Sequence, residues 1–521
     1  MEMKKLPIGI QYFPEIIENG YAYVDKTGFI PMLLQGKYYF LSRPRRFGKS
    51  LFLSTLHAFF SGRRELFKDL AVDCADVDWT PHPVLHFDFN SGAFDDEGAL
   101  LEIIDETLSK YEIEYGVERG EKSRAAVPVR FGSLLEHIFD MTGRKVVVLV
   151  DEYDKPLLGA EEDRTLFLKN QSLLKGFYGN LKSKDGCIRF AFLSGVARFN
   201  KVSIFSDVNN LNDISLHDRY ADICGWTEGE LLSIFRDGIE HLAESRNEGF
   251  REFLSRMRNY YDGYLFAPGG ERLYNPFSVL KALDAGKLGT YWFQTGTPTF
   301  LARRVKRYGI DPASLNGKVV REAHLLEVGL DTGDPAPLMF QTGYLTIGSY
   351  DERRDRYELR FPNYEVEHGF ADSLFRIYVP EPVRKKGIFA AEEFEDDLLD
   401  GRPEAFLKRL DTLLKDLPYE DRRESTYRGI VYSLCALSSG APQAERHSYR
   451  GRSDLEVFTD KYIYIFEFKY NRSVEEAMEQ IRDRDYTGRH ALDQRSLYLI
   501  GVNFSTNDDN SVLAYEIQQR I

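Results

Sequence analysis

The stretch Arg43-Pro44-Arg45-Arg46-Phe47-Gly48-Lys49-Ser50 constrains this chain more than any other. It follows the apolar run Tyr38-Tyr39-Phe40-Leu41 and precedes Leu51-Phe52-Leu53-Ser54-Thr55-Leu56, so a short buried strand feeds a turn that ends Gly-Lys-Ser and opens a helix. A helix N-terminus presents unpaired N–H groups and a positive dipole end to an anion. In a P-loop those groups cradle phosphates, a lysine reaches the β- and γ-phosphates, and a serine hydroxyl ligates Mg²⁺. Lys49 and Ser50 would take the last two roles, with Gly48, Arg45 and Arg46 beside the phosphates. The first glycine of G-x-x-x-x-G-K-[ST] falls at Arg43 and is missing. A bare Gly-Lys-Ser also suits an ordinary helix start with a lysine in its first turn. Three arginines crowded before a helix N-terminus repel one another, however, and that favours an anion among them.

A chain of 521 residues is too long for one core, so two to four domains are expected, and 43% hydrophobic with 14% aromatic content excludes general disorder. Cys74, Cys187, Cys224 and Cys435 form no C-x-x-C pair. That argues against a disulfide framework and a zinc site, and fits a reducing cytosol. No run approaches the ~20 apolar residues of a membrane span, and Met1 to Ile17 holds no long apolar core of a signal peptide. A cytoplasmic protein without a membrane partner is the expectation. The net charge of -14 excludes whole-surface coating of nucleic acid and leaves room for a local basic site.

Residues 1–221 alternate strand and helix, with strands expected at Tyr38 to Leu41, Val84 to Phe89, Lys145 to Val150 and Ile188 to Leu193. Amphipathic stretches between them predict a mostly parallel sheet covered on both faces. The third strand runs Val146-Val147-Val148-Leu149-Val150 into Asp151-Glu152, as a Walker B strand does. Asp151 would hold Mg²⁺ through water and Glu152 would polarise the attacking water. The fourth ends at Ser194, a candidate sensor of the γ-phosphate, and Arg198 follows as a charge-stabilising arginine or a solvated surface one. Residues 222–350 turn helical and read as a lid or accessory domain, 351–400 as a connecting region, and 401–521 as a last domain.

That last part carries a second constellation. Gly451-Arg452-Ser453-Asp454-Leu455-Glu456-Val457-Phe458 and Tyr462-Ile463-Tyr464-Ile465-Phe466-Glu467-Phe468-Lys469 read as a hairpin. Residues alternate faces along a strand, so Glu467 and Lys469 share one face while Phe466 and Phe468 share the other. Asp454 reaches the same place in the simplest register. Paired carboxylates call for a cation, and Mg²⁺ suits oxygen ligands. Lys469 would then orient or help deprotonate a water for attack on a phosphodiester. Glu424, opening a helical run, would add a third ligand or position the water, and a second helix brings Gln480 alongside. The bland alternative is an α/β unit with a surface salt bridge. Arginines between Arg422 and Arg489, including Arg428, Arg472 and Arg482, would border such a site or form a solvated face.

Arg43 to Ser50, with Val150-Asp151-Glu152-Tyr153-Asp154, Ser194-Gly195-Val196-Ala197-Arg198-Phe199 and Asn209-Asn210-Leu211-Asn212-Asp213-Ile214, resembles the bacterial AAA-ATPase-like family. The likeness runs on through Tyr261-Asp262-Gly263-Tyr264, Tyr274-Asn275-Pro276-Phe277 and Thr342-Gly343-Tyr344-Leu345. The C-terminal part looks like the PD-(D/E)XK nuclease domain that commonly ends such proteins. The resemblance implies ATP and Mg²⁺ at the P-loop and a restriction-endonuclease-like fold at the C-terminus, with Glu424, Asp454, Glu467 and Lys469 at the nuclease positions. Arg43 looks like the family's own pattern. The fold class expected is thus α/β: a P-loop NTPase core, a helical accessory domain and a nuclease-like α/β domain. The function expected is an ATPase coupled to a Mg²⁺-dependent nuclease on nucleic acid, DNA favoured over RNA. The alternatives are a nucleotide-switched nucleic-acid-binding protein and a signalling ATPase with a non-cleaving domain. An AAA-like core allows a homo-oligomer or a protein partner.

Overall fold

The computed structural model describes residues 4–92, 94, 96, 98–117, 127–198, 208, 210–295, 299–325, 333–386, 390–418, 423–438, 455–483, 490, 493–505 and 512–520. Strands β1 (Tyr38–Ser42), β2 (Val84–Asp88), β3 (Val146–Asp151), β4 (Ile188–Gly195) and β5 (Asn212–Asp213) form one sheet in the order β2-β3-β4-β1-β5. All neighbours run parallel. Every residue of β1 and β3 is buried, which is why both are continuous apolar runs and not alternating ones. The intervening helices, among them Lys49–Phe60, Val127–Thr142 and Arg164–Ser183, supply the cover. Because β4 lies between β1 and β3 and all point one way, the turn after β1, the end of β3 and the end of β4 gather at one sheet edge. Open α/β sheets bind ligands beyond such strand ends.

The accessory part has its own core. Helices Glu228–Ser245, Phe250–Tyr261 and Pro276–Ala285 pack Leu231, Phe253, Met257 and Val279 against Ala22 and Val24 of the N-terminal segment. Thr227 and Glu230 close a capping box at the first of these helices. The stretch read as helical to residue 350 also holds strands. β6 (Lys318–Val320), β7 (Thr346–Asp351) and β8 (Arg356–Arg360) pair antiparallel in the order β6-β8-β7. The charged residues from Asp351 to Arg356, read as a passage between domains, form the tip of the β7–β8 hairpin, with Asp355 in the left-handed region at φ 49°. Charge at a solvated tip gives no periodicity to read.

The C-terminal part is a mixed sheet of β9 (Leu455–Phe458), β10 (Tyr462–Tyr470), β11 (Ser496–Phe504) and β12 (Leu513–Arg520), ordered β12-β11-β10-β9. Strands β10 and β11 are parallel and joined through helix Val474–Asp483, whose Ala477, Met478 and Ile481 are buried. Helix Tyr364–Tyr378 lies against helix Glu424–Ser438, close enough that a Cβ on Gly429 would fall 2.4 Å from the Tyr378 ring. One apolar cluster runs from Phe13 through the parallel sheet to Leu513, so the parts are packed together and not tethered. Among the described residues no helix is long and apolar enough to cross a membrane.

Candidate functional site

The phosphate-loop turn has the backbone a phosphate cradle requires. Arg46 and Gly48 both adopt positive φ, 71° and 96°. Gly48 caps helix Lys49–Phe60 with no side chain bonded to the helix N–H groups, so the first turn is open to an anion. Lys49 is buried, and its Nζ donates to the carbonyls of Arg43 and Pro44 at 3.1 and 3.2 Å and lies 3.2 Å from Glu152 Oε1. Glu152 itself sits at φ 52°, and its Oε2 is buried without a hydrogen bond.

Asp151 ends β3 among hydroxyls. Ser194 Oγ donates to its Oδ1 at 2.6 Å, and burial raises its pKa while the hydroxyls of Ser194 and Ser50 pull it back. The chain thus brings together Lys49, Ser50, Asp151, Glu152 and Ser194. Ser194 and Asp151 are both buried and neither lines the cavity, whereas Ser50, hydrogen-bonded to Asp151, does. The polar residues after Glu152 grip the loop that follows β4. Asp154 accepts from the N–H groups of Val196 and Ala197, and the Tyr153 hydroxyl donates to the Ala197 carbonyl at 2.8 Å. Burial, and then the charge of Glu152, push the Asp154 carboxyl up to about 7.

Two arginines stand apart from the phosphate site. Arg198 turns to Asp213 at 2.6 Å, and it does not line the cavity. Arg43 is 1% exposed, and its guanidinium donates to the carbonyls of Ser42, Ser215, Tyr220 and Ala221 and stacks 4.4 Å over Phe266. The repulsion argument for an anion among three arginines therefore fails for Arg43, which is held by carbonyls. Arg46 lies 4.7 Å over the Phe277 ring, and both Arg45 and Arg46 are exposed at the turn.

A cavity of about 1030 Å³ opens at this edge, lined by Arg45 to Phe52, Glu152, Lys155 and, from the accessory part, Trp226, Phe277, Trp292 and Tyr344. Its size and mixed lining suit a nucleotide. Phe47 packs edge-on against Tyr264 at 4.7 Å, and Trp292 Nε1 donates to the Arg45 carbonyl at 3.1 Å. The accessory part thereby holds the phosphate loop from outside.

In the C-terminal sheet, Glu467 is buried and Lys469 is tied to it. Lys469 Nζ donates to Glu467 Oε1 at 3.1 Å and to Gln480 Oε1 at 2.6 Å. Phe466 and Phe468 stack on the other face at 5.9 Å, as strand alternation requires. Glu424 opens its helix half exposed and pairs with Arg428 at 3.0 Å, not with Lys469. Asp454 lies outside the described residues; the described hairpin register runs to Phe466 opposite Leu455. Among the described residues no three His, Cys, Asp or Glu side chains converge for a metal. Four arginines of this part are paired with carboxylates: Arg428 with Asp311, Arg472 with Glu476, Arg482 with Glu516 and Arg495 with Asp493.

Known proteins match both constellations. A family model described as "Predicted AAA-ATPase" matches residues 7–205, and a PD-(D/E)XK nuclease superfamily model matches residues 422–512. A protein of Azotobacter chroococcum mcd 1, the "Uncharacterized protein in vnfD 5'region", is 37% identical over 536 residues, covering 99% of each chain. The chain belongs to the AAA-ATPase-like family with a C-terminal PD-(D/E)XK domain. The structure of the Aeropyrum pernix ORC2 protein in ADPNP-ADP complexes aligns with 72% of this chain and 96% of its own, at 10% identity and a TM-score of 0.24. That correspondence is too loose to transfer any geometry.

The structure explains several motifs of this AAA-ATPase-like chain. Gly343 of Thr342-Gly343-Tyr344 has φ +87°, and a Cβ there would sit 2.6 Å from Pro44. Gly263 of Tyr261-Asp262-Gly263-Tyr264 has φ +107° and meets the Pro362 carbonyl. Sequence reasoning missed Glu456, buried on the same face as Glu467 because it pairs opposite Ile465, with His490 Nε2 3.6 Å from it. A charge inside the apolar run Leu455 to Phe458 was the available signal. It also missed Lys155, which continues the Asp-Glu-Tyr-Asp run into the cavity.

Proposed function

We propose that the chain binds ATP with Mg²⁺ at the Gly48 to Ser50 turn, hydrolyses it, and couples that reaction to a Mg²⁺-dependent nuclease acting on nucleic acid in the cytoplasm, DNA in preference to RNA. The observation that carries the reading is the convergence of Lys49, Ser50 and Glu152 on one cavity edge, with the buried Asp151 carboxylate hydrogen-bonded to Ser50. The residues fit both groups. The open first turn and Lys49 suit phosphates, and the adjacent oxygens of Ser50 and Asp151 are the hard donors that Mg²⁺ takes. Mg²⁺, when bound, supplies charge neutralisation on the β- and γ-phosphate oxygens.

Lys49 would donate to the phosphates from its buried position, exchanging its present carbonyl partners for phosphate oxygens. Ser50 and Asp151 would hold the metal, with Ser194 fixing the orientation of Asp151. Glu152 would accept a hydrogen bond from the attacking water on Oε2, the oxygen without a partner. In the nuclease part, Glu467 with Asp454 would hold the metal and Glu424 would contribute from its helix. Lys469 would orient the water, kept straight by Glu467 and Gln480. A homo-oligomer or a protein partner fits the AAA-like core.

The test is cleavage of plasmid and single-stranded DNA in Mg²⁺, with and without ATP, comparing wild type with Lys469→Ala and Lys49→Ala. Loss of cleavage in Lys469→Ala is expected, and so is loss of the ATP response in Lys49→Ala. Absence of both ATP turnover and Mg²⁺-dependent cleavage in the pure wild type would sink the reading. A second reading, a nucleic-acid-binding ATPase that does not cut, draws on Glu424, which pairs with Arg428 and not with Lys469. ATP turnover and salt-sensitive binding without cleavage would select it.

A further inference from the structure

Arg198 faces Asp213, so the charge that develops during phosphoryl transfer needs another cation. Among the described residues the cavity is lined by five: Lys26, Arg45, Arg46, Lys49 and Lys155. Lys26 is neutralised by both oxygens of Glu230, at 2.6 and 2.7 Å. Arg46 is stacked on Phe277 of the accessory part. Lys49 belongs to the phosphate loop. Arg45, Arg46 and Lys155 remain, and of these Lys155 is the least exposed.

Lys155 follows Glu152 by three residues, at the start of the short helix after β3. Its Nζ donates to the carbonyl of Asn90, just beyond β2, which anchors the side chain on the β2–β3 side of the cavity. Nζ also lies 3.5 Å from Asn90 Oδ1, and since an ammonium has three donors, one is left for a ligand. Burial and then the charge of Arg45 lower the Lys155 pKa, while Glu152 and Asp88 act against them. The ammonium therefore sits in the joint field of Arg45 and Glu152. Glu152 has Lys49, at the start of the helix after β1, 3.2 Å from its Oε1, and shares its field with Lys155 from the segment after β3.

We propose that Lys155, with Arg45 beside it, contacts the γ-phosphoryl group during transfer and stabilises the charge on its oxygens. This rests on the ATP hydrolysis proposed above. In that step the water oxygen bonds to the γ-phosphorus as the bond from phosphorus to the β-bridging oxygen breaks. ADP leaves, and the water proton passes through Glu152 to the phosphate produced. Lys155 keeps its protons throughout and acts as a fixed charge, the kind of preorganised donor whose removal costs about 10²-fold or more in kcat.

The experiment compares wild type, Lys155→Ala and Lys155→Arg in ATP turnover, and in binding of ADP alone and of ADP with aluminium fluoride, a mimic of the group in transfer. Lys155→Ala should lower kcat about 10²-fold, leave the KM for ATP and the ADP affinity within about threefold, and weaken the aluminium fluoride complex by a factor similar to the kcat loss. Lys155→Arg should recover part of the rate. Equal losses of ADP and ADP–aluminium fluoride affinity would show that the Asn90 tether only holds the fold, and would overturn the assignment. So would an unchanged kcat in Lys155→Ala. A wild type that binds ATP and never turns it over would instead refute the ATPase reading itself.

Discussion

Arg43→Gly would restore the glycine of the general phosphate-loop pattern, and the structure predicts that it damages the protein. The guanidinium is 1% exposed, with Nη1 donating to Ser42 and Ser215 at 2.9 and 2.7 Å and Nη2 to Tyr220 and Ala221 at 3.0 and 3.3 Å. Burial lowers its pKa to about 10, so it stays charged at neutral pH. Truncation leaves the carbonyls of Ser215, Tyr220 and Ala221 without this donor, at about 1 kcal/mol or more each. Emptying the site of a large buried side chain adds about 3 kcal/mol, and relief of the guanidinium's desolvation returns part of the sum. The net loss is about 3–5 kcal/mol, a large fraction of the 5–15 kcal/mol that typically separates folded from unfolded. Arg43→Lys should fall between, since one ammonium cannot span four carbonyls. Urea unfolding followed by tryptophan fluorescence measures the loss, and an ATP titration reads the site. An Arg43→Gly protein as stable as wild type, with undiminished ATP affinity, would refute the assignment of Arg43 as a brace.

Glu365 accepts from the Trp292 N–H and the Ser278 hydroxyl, both at 2.7 Å, and burial pushes its carboxyl up to about 7. Its folded pKa lies above the ordinary 4.5, so its contribution is full below pH 4.5 and is lost as pH rises to about 7, roughly 3 kcal/mol in all. Glu365→Gln should flatten stability against pH across that window, and an unchanged slope counts against it. Gly343→Ala would drive a Cβ to 2.6 Å from Pro44 at φ +87° and should cost about 1–3 kcal/mol of stability together with about tenfold in ATP affinity, measured by calorimetry. Gln480→Leu removes the second acceptor of Lys469 and should lower Mg²⁺-dependent cleavage about 10–100-fold while ATP turnover stays level.

What the sequence disclosed depended on how locally each feature is encoded. Buried parallel strands are uninterrupted apolar runs, so β1, β3 and β4 and the polar residues at their ends were readable one residue at a time. The Glu467, Lys469 pair was equally local, since two residues on one strand share a face whatever the rest does. The hairpin of β7 and β8 escaped because its half-exposed strands meet at a charged tip. Arg43 and Arg198 escaped for another reason. An arginine's chemistry is set by which acceptors the fold brings to it, and Ser215, Tyr220 and Asp213 are distant neighbours whose approach no spacing announces.

The two sites share one packed body, and the contacts between them can be followed. Trp292 Nε1 bonds the Arg45 carbonyl at the phosphate loop, and the Trp292 N–H bonds Glu365 in the first turn of helix Tyr364–Tyr378. That helix lies on Glu424–Ser438, whose Tyr427 packs 6.2 Å from Tyr470, the residue after Lys469, and 5.1 Å from Phe504. The links run through buried side chains and backbone, and a close-packed interior transmits displacement where a flexible tether would absorb it. Contact alone is not coupling, which requires an element with two positions that both sites bias. Helix Tyr364–Tyr378 is the element placed for that role, since it touches the nucleotide side through Glu365 and the nuclease side through Tyr378. The bonds that fix Lys469, to Glu467 and Gln480, lie wholly within the C-terminal sheet and its helix. Under the proposed function, control by nucleotide would act by moving that sheet as a unit and not by rearranging the Glu467–Lys469 pair.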